Sequence, residues 1–222
     1  MKPAVITVKA CDNANNCIEQ SHTTSYGVYA RQWLNPFFNG FFLFIIIWYN
    51  CIGDNMKLMF VSDIHGFSDK LDLVKCIYDA EKPNKIVFLG DLFYGYDSDN
   101  LIDAYKSFNN AIFIQGNCDR DFDVEESGLG FMNYYYFEAF GKKIFCTHGH
   151  RYNKYNLPDI EFDIFVNGHT HIGIIEKEND KLYLNPGSTT YPRGGSRSSY
   201  LIIDDSGIYL KDLEQNIIKK IS

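Results

Sequence analysis

The stretch Met56-Lys57-Leu58-Met59-Phe60-Val61-Ser62-Asp63-Ile64-His65-Gly66 joins an apolar run to an acidic residue and a histidine two positions apart. The apolar run has the length and composition of a short buried strand. Asp63 and His65 follow it beside Gly66, which permits a tight turn. In α/β proteins the loops at the carboxyl ends of strands form the usual ligand crevice. The stretch therefore predicts a strand that delivers polar side chains to a site.

Four further apolar segments of the chain end in similar polar clusters. These clusters are Gly90-Asp91, Gly116-Asn117-Cys118-Asp119, Thr147-His148-Gly149-His150 and Gly168-His169-Thr170-His171. Each cluster alone is typical of a turn or surface loop, but five in succession behind strands indicate one convergent site. Asp63/His65 and His169/His171 are i, i+2 pairs, and in strand-like geometry both side chains of a pair face the same way.

The segments between these clusters predict the fold class. Strands are expected at 58–61, 86–89, 111–114, 132–140, 143–146, 164–166, 181–184, 200–203 and 208–210, and helices at 69–81 and 98–108. Repeated strand–helix–strand units imply a mostly parallel sheet with covering helices. After residue 131 the expected elements are strands without long helices. Two packed sheets with outer helices would accommodate both halves, which predicts an α/β fold.

Composition excludes several classes of protein. The 222 residues are 45% hydrophobic, which is too apolar for a disordered or low-complexity chain. The formal net charge of −7 argues against tight non-specific nucleic-acid binding. It does not exclude a phosphate-bearing substrate, because metal ions can supply positive charge locally. The six cysteines contain no CxxC pair, which argues against a disulfide scaffold or a tetrathiolate zinc site. We expect a cytoplasmic protein.

The first 55 residues differ from the rest of the chain. They carry three basic and three acidic residues, so the whole net charge belongs to residues 56–222. Residues 41–49 are continuously apolar but are about half as long as a membrane span of roughly 20 residues. We favour residues 1–55 as a gene-model extension upstream of a start at Met56. A packed or disordered segment, or an anchor through 41–49, is the alternative, and 56–222 is the expected domain.

Seven oxygen and nitrogen ligands in the clusters suit two metal ions better than one. Carboxylate and imidazole together favour Mn, Fe, Zn or Ni over Ca and Mg, and we expect two divalent ions with Mn²⁺ first. Paired ions activate a hydroxide and stabilise both oxygens of an in-line displacement at phosphorus. One ligand must then bridge the ions, and a carboxylate with two oxygens is suited to that task.

Residues 56–222 resemble the calcineurin-like metallophosphoesterase superfamily, and within it the small YfcE-type phosphodiesterases. The motifs that carry the resemblance are KLMFVSDIHG, GD, GNCD, THGH, NGHTH and NPGS with a following Gly-Gly pair. The resemblance implies a two-sheet α/β sandwich with the metal site at the carboxyl ends of the strands. It also implies that the first metal is held by Asp63, His65, Asp91 and His171. The second would be held by Asp91, Asn117, His148 and His169, with Asp91 bridging.

Cys118 is the one departure from the superfamily's common GNH[DE] motif, although the YfcE-type members share the GNCD form. In the family the histidine is thought to protonate the leaving oxygen or to hold the phosphate. A cysteine performs either task poorly, which favours diesters with good leaving groups over monoesters. Asp119 then loses its dyad partner and is expected to cap the following segment. His150 is expected to border the site and to contact phosphate or donate a proton.

These observations predict a dinuclear metal-dependent phosphodiesterase that hydrolyses small phosphodiesters by in-line attack of a metal-bound hydroxide. Asp91, Asn117 and His150 are the expected catalytic residues. Arg151 and Arg193 are further candidates for phosphate contact, although surface arginines are ordinary. The alternative is a non-catalytic protein-binding scaffold of the same fold. A homo-oligomer is compatible with the resemblance, and the substrate stays open among cyclic nucleotides, nucleic-acid ends and other small diesters.

Overall fold

A computed structural model describes residues 4–11, 17–24, 56–93 and 98–222. The chain divides into two units, Met1–Asn50 and Cys51–Ser222. In the first unit β1 (Ala4–Cys11) and β2 (Cys17–Thr24) pair as an antiparallel hairpin. The apolar run 41–49, considered above as an anchor, lies outside the described residues. Within the described ranges no helix is long and apolar enough to cross a membrane.

The second unit contains the remaining strands and helices of the described chain. In chain order they are β3 (Lys57–Val61), α1 (Ser68–Glu81), β4 (Lys85–Phe88), α2 (Ser98–Lys106), β5 (Ala111–Phe113), α3 (Asp121–Ser127), β6 (Tyr134–Ala139), β7 (Lys142–Thr147), β8 (Ile164–Asn167), β9 (Gly173–Glu178), β10 (Lys181–Pro186), β11 (Ser199–Asp204), β12 (Gly207–Asp212) and β13 (Ile217–Ile221).

The strands of this unit form two mixed sheets. The six-stranded sheet has the order β13-β12-β11-β3-β4-β5, in which β3–β4 and β4–β5 pair in parallel and the other neighbours pair antiparallel. The five-stranded sheet has the order β6-β7-β8-β10-β9, with β7, β8 and β10 parallel and antiparallel strands at both edges. The two-sheet α/β architecture is confirmed. The expected mostly parallel pairing is wrong, because antiparallel strands from the second half complete both sheets.

Side-chain alternation along the central strands builds a core on both faces of the six-stranded sheet. Leu58 and Phe60 of β3 pack into the cluster between the sheets, together with Ile144 and Val166 of the five-stranded sheet. Met59 of β3 points to the opposite face and joins the cluster that α1 and α2 cover. All five side chains are fully buried. The strand period of two therefore makes β3 a central strand with two apolar faces.

Helix α1 shows how local sequence sets the elements around the site. Its buried face carries Leu71, Val74 and Ile77, at the spacing of three that a helix requires. It ends at Lys82, whose left-handed backbone (φ 51°) lets its N–H donate to the Tyr78 carbonyl. Both predicted helices are present, at α1 and α2. Helix α3 and strands β9 and β13 were not predicted.

Candidate active site

Five loops bring the candidate ligands to one place, and each loop follows a strand. Asp63 and His65 follow β3, Asp91 follows β4, Asn117 follows β5, His148 follows β7, and His169 and His171 follow β8. Backbone hydrogen bonds join neighbouring loops. The N–H of Asp63 donates to the Gly90 carbonyl at 3.1 Å, and the N–H of His65 donates to the Asp91 carbonyl at 2.8 Å. The loops are therefore held by the backbone as well as by their side chains.

The ligating atoms form two groups that share Asp91. The first group is Asp63, His65, Asp91 and His171, and the second is Asp91, His148 and His169, with the atoms of each group within 4.8 Å of one another. Oδ2 of Asp91 lies 3.8 Å from Nε2 of His65, whereas Oδ1 lies 3.4 Å from Nε2 of His148. Oδ1 of Asn117 lies 3.1 Å from the same His148 nitrogen, which extends the second group.

Hydrogen bonds to backbone carbonyls fix the tautomers of two of these histidines. Nδ1 of His148 donates to the Leu89 carbonyl at 2.7 Å, and Nδ1 of His171 donates to the Tyr191 carbonyl at 2.8 Å. Because a carbonyl oxygen only accepts, both Nδ1 atoms carry a proton. In the neutral ring Nε2 then presents a lone pair to the site, which is the arrangement that metal-binding histidines require.

Most polar atoms that face the centre of the site are acceptors, namely imidazole nitrogens and carboxylate oxygens, and few hydrogen-bond donors lie near them. Such a set of acceptors suits cations. Nε2 of His65 lies 3.3 Å from Nε2 of His171, and Nδ1 of His169 lies 3.2 Å from Nε2 of His148. Oδ1 of Asp63 is buried and accepts no hydrogen bond within the described part of the chain. A buried carboxylate oxygen without a partner is costly, and a divalent cation would satisfy it. Carboxylate, amide and imidazole donors together fit Mn²⁺, Fe²⁺, Zn²⁺ or Ni²⁺.

The electrostatics of the pocket keep Asp91, His65 and His169 in ligating form, whereas neighbouring carboxylates raise the pKa of His148 and of His171. Burial alone would raise the pKa of Asp91, but the His148 imidazole and the Cys118 N–H hold that pKa well below its usual range. Burial lowers the pKa of His65 and of His169, so both rings are neutral at pH 7. Burial also opposes protonation of His148, yet the nearby carboxylates raise its pKa. A bound cation would displace that proton.

Five candidate ligands occupy the left-handed region of backbone space, which side chains other than glycine rarely adopt. They are Asp63 (φ 56°), His65 (φ 53°), Asp91 (φ 53°), His169 (φ 68°) and His171 (φ 61°). The strand-like geometry expected for the i, i+2 pairs is therefore wrong. Each pair reaches the site through turns after its strand ends. Backbone strain of this kind clusters at functional sites because the surrounding structure must hold it.

Two glycines beside the ligands lie where another loop approaches the backbone too closely to leave room for a side chain. A Cβ at Gly116 would lie 2.1 Å from Oδ1 of Asp91, and one at Gly168 would lie 1.9 Å from Oγ of Ser62. Any larger residue would displace the loop that carries a ligand. The glycines therefore allow loops from both sheets to pack against each other at the centre.

Comparison with known proteins agrees with this geometry. Residues 56–206 match the calcineurin-like phosphoesterase superfamily domain. The chain belongs to this superfamily. It is 30% identical to phosphodiesterase YfcE of Escherichia coli K12 over 182 residues, which cover 75% of this chain and 98% of that protein. The expected resemblance to YfcE-type proteins is confirmed.

Solved structures support the same assignment of the phosphoesterase fold. The structure of YfcE, described as a phosphoesterase from E. coli, superposes with a TM-score of 0.69 and 28% identity, over 75% of this chain and 98% of that one. Vacuolar protein sorting 29 of Cryptosporidium parvum superposes with a TM-score of 0.57 and 20% identity, over 76% of this chain and 98% of that one. The second likeness shows the shared fold alone.

Asp119 does not cap the segment that follows it, contrary to expectation. Residue Arg120 occupies the N-cap of α3 and makes no side-chain capping bond there. The buried Asp119 carboxylate instead accepts four backbone N–H bonds. The donors are Asp91 at 2.9 Å, Leu92 at 2.7 Å, Phe93 at 2.9 Å and Gly116 at 2.8 Å. Burial raises the pKa of Asp119 to about 6, against the opposing effect of these donors. The carboxylate ties two ligand loops together.

His150 borders the second ligand group but belongs to neither group. Its ring centroid lies 5.3 Å from that of His148 and 6.4 Å from that of His169. Nε of Arg151 donates to Nε2 of His150 at 3.2 Å. Nδ1 of His150 is buried and has no hydrogen-bond partner among the described residues. Burial lowers the pKa of His150, so its ring is neutral at pH 7.

The segment after β10 supports the first ligand group from behind. The hydroxyl of Ser188 donates to the Asp63 carbonyl at 2.7 Å, and the hydroxyl of Thr190 donates to the Ile64 carbonyl at 2.8 Å. The Arg193 N–H donates to the His171 carbonyl at 3.0 Å. Ser188 belongs to the NPGS motif, which therefore lies beside the site. The contact of Tyr191 with His171 was not predicted, because a backbone acceptor leaves no signal in the sequence.

Proposed function

We propose that this phosphoesterase is a dinuclear metal-dependent phosphodiesterase that hydrolyses small phosphodiesters. The observation that carries the proposal is the position of Asp91, whose two carboxylate oxygens face two different ligand groups. Such a carboxylate is the natural bridge between paired ions. The named phosphodiesterase activity of YfcE supports the same reaction class.

The proposed ligand sets follow the two groups. Asp63, His65, Asp91 and His171 would hold one ion, and Asp91, Asn117, His148 and His169 would hold the other. When bound, two such ions lower the pKa of water and neutralise charge at phosphorus during in-line displacement. Mn²⁺ is our first choice because the ligands are mixed oxygen and nitrogen with no thiolate, and Fe, Zn and Ni are the alternatives.

His150 would contact the phosphate or the leaving oxygen as a hydrogen-bond donor. Its Nε2 accepts a hydrogen bond from Arg151 Nε, so the neutral ring keeps its proton on Nδ1. That N–H is buried and unpartnered within the described chain. A phosphate or leaving-group oxygen would satisfy it. Asn117, whose Oδ1 lies 3.1 Å from Nε2 of His148, would orient the substrate through its amide.

Cys118 favours diesters in this scheme. Burial and the neighbouring Asp91 raise the pKa of its thiol to about 12, so the thiol stays protonated at neutral pH. Its backbone N–H donates to Oδ1 of Asp91 at 2.8 Å, which gives the residue a positioning role. A neutral thiol cannot replace a histidine that protonates a poor leaving group. Substrates with good leaving groups are therefore preferred.

Hydrolysis of bis-p-nitrophenyl phosphate, with and without Mn²⁺, tests the proposal. We expect metal-dependent turnover that falls by more than about 100-fold in Asp91→Asn, because the amide keeps one oxygen but loses the charge and the second oxygen that bridging requires. Asp205→Asn, which removes an exposed carboxylate, is the matched control and should retain wild-type activity. No turnover with Mn²⁺, Fe²⁺, Zn²⁺ or Ni²⁺ by folded protein would contradict the enzyme and favour the protein-binding scaffold.

The remaining expectations stay part of the proposal. They are a small phosphodiester as partner, no tight nucleic-acid binding, a cytoplasmic location and a possible homo-oligomer. The net charge of −7 supports the absence of tight nucleic-acid binding, because a negatively charged protein surface repels a polyanion wherever no metal intervenes.

A further inference from the structure

Two exposed aromatic rings lie beside the first ligand group of the candidate site. The side chains of Phe67 and Tyr191 are 37% and 49% exposed. Their rings pack edge to face, with centroids 5.4 Å apart and planes at 90°. We call this pair the aromatic rim. Large apolar rings left half open beside a polar centre indicate contact with a ligand.

The aromatic rim is joined directly to the first ligand group. The Tyr191 ring lies 5.6 Å from the His65 ring, centroid to centroid. The carbonyl of Tyr191 accepts the hydrogen bond from Nδ1 of His171, and its N–H donates to Oγ of Ser188 at 2.8 Å. A substituent on a phosphate bound between the ligand groups therefore needs only a few bonds to reach this ring.

The backbone of Phe67 is also held in place, so the rim is preorganised. Phe67 precedes α1, and its carbonyl accepts the N–H of Leu71 at 3.0 Å and that of Lys70 at 3.2 Å. Its own N–H donates to the Ile64 carbonyl at 3.4 Å, within the loop that carries Asp63 and His65. A rigid platform loses little conformational entropy when a ring stacks on it.

We infer that the aromatic rim binds a planar aromatic substituent of the substrate, stacked on Tyr191 with Phe67 as the side wall. The inference rests on the proposed function and names the substrate class, which is a phosphodiester that carries a nucleobase or an aryl group. The chemistry is ring stacking, which tolerates different bases because every base has a π face. Arg193 follows two residues after Tyr191 and is exposed, so it can approach a phosphate on the same side.

Calorimetric titration of the Mn²⁺-loaded full-length protein tests this inference. The ligands are adenosine 5′-monophosphate and ribose 5-phosphate, which differ by the base, and phenylphosphonate and methylphosphonate, which differ by the ring. We expect each aromatic ligand to bind about 5- to 100-fold more tightly than its partner without the ring. A gain with adenosine 5′-monophosphate indicates nucleotide substrates, and a gain with phenylphosphonate alone indicates aryl diesters.

Three variants separate stacking from a general disturbance of the site. Tyr191→Ala should weaken the binding of adenosine 5′-monophosphate far more than that of ribose 5-phosphate, which abolishes most of the aromatic gain. Tyr191→Phe keeps the ring and should bind as the wild type does. Tyr155→Ala removes a tyrosine that is 96% exposed on another loop and is the matched control.

Two outcomes would overturn the inference. One is equal affinity of the wild type for ligands with and without the ring. The other is equal weakening of both ligands by Tyr191→Ala, which would mean that Tyr191 only positions the histidines. In either case metal-dependent hydrolysis of methyl p-nitrophenyl phosphate would show that the proposed function stands. If the wild type did not hydrolyse this diester with any of the metals, both the proposed function and this inference would be overturned.

Discussion

Asp119 joins the loop after β4 to the loop after β5 through one carboxylate. Its four N–H donors include Asp91, the proposed bridging ligand, and Gly116, which precedes the proposed ligand Asn117. A carboxylate oxygen accepts two such bonds at once, whereas an amide group turns one of its ends into a donor. The position of Asp91 therefore depends on a residue that would not itself contact a metal.

We predict that Asp119→Asn lowers the free energy of unfolding by about 2–4 kcal/mol, because buried N–H donors lose their acceptor. It should also weaken Mn²⁺ binding about 10- to 100-fold, as the loss of residues that support metal ligands does elsewhere. Urea unfolding and Mn²⁺ titration measure the two effects. Asp121→Asn, which alters an exposed carboxylate that accepts from Gln115, is the control. Equal behaviour of the two variants would contradict the role of Asp119.

The seven candidate ligands were predictable because their chemistry lies in the side chains and each follows an apolar run. The role of Asp119 was not, because its partners Asp91, Leu92 and Phe93 stand 26 to 28 positions earlier in the chain. The left-handed backbone conformation of the ligand residues could not be predicted from the sequence either. Asp and His adopt this conformation more often than most side chains, but that preference is too weak to predict it at Asp63 or His169 without the packing of the surrounding loops.

At the scale of elements, the end of α1 is fixed by an ion cluster around Glu81. Its carboxylate contacts Nζ of Lys57 in β3 at 3.0 Å, Nζ of Lys211 in β12 at 2.6 Å and the hydroxyl of Tyr200 in β11 at 2.9 Å. The Glu81 side chain is 7% exposed. The cluster joins one helix to three strands of the six-stranded sheet, on the face away from the five-stranded sheet.

We predict that Glu81→Gln lowers the free energy of unfolding at pH 7 by about 2–4 kcal/mol, because two lysines then face a neutral group. Burial would raise the pKa of Glu81, but the hydrogen bonds from Lys211, Lys57 and Tyr200 lower it below its usual value. The stabilisation is therefore complete above the unfolded pKa and is lost as pH falls through the lower folded pKa. The difference in free energy of unfolding between the variant and the wild type should decrease steadily below about pH 4.5.

Urea unfolding between pH 3 and pH 7 measures this gap. Asp79→Asn breaks the exposed pair of Asp79 with Lys75 on the same helix and should cost about 0.5 kcal/mol or less at every pH. A Glu81→Gln deficit that stays constant down to pH 3 would show that the effect comes from packing rather than from charge.

The elements that sequence patterns predicted are those with strong apolar periodicity. Strand β3 and helix α1 have it, and both were found at nearly the expected residues. Strand β13 (Ile217–Ile221) was missed, because it is an edge strand that is exposed along most of its length and has no alternation. Strand β9 ends in the charged run Glu176-Lys177-Glu178, which is typical of a loop. Both strands depend on pairing with a neighbour, which a local pattern does not contain.

At the scale of the whole molecule, the residues proposed for function lie within one part of the chain. The family match begins at residue 56, and the candidate ligands span residues 63 to 171. Strand β3, which begins at Lys57, pairs on both sides with β11 and β4. A domain that opens on a central strand needs nothing before it to complete that strand's pairing. We therefore propose residues 56–222 as the catalytic domain.

We predict that a protein of residues 56–222 hydrolyses bis-p-nitrophenyl phosphate with a kcat/KM within about twofold of the full chain, a difference below about 0.5 kcal/mol in barrier height. Its midpoint of thermal unfolding should also match that of the second unit in the full chain.

Flotation with phospholipid vesicles, applied to both proteins, tests the apolar run 41–49 separately. An anchor would carry only the full chain to the vesicle fraction, since the shorter protein lacks that run. Equal behaviour in both assays would leave residues 1–55 without a part in catalysis or membrane binding. A shorter protein that fails to fold would instead place them within the structural unit.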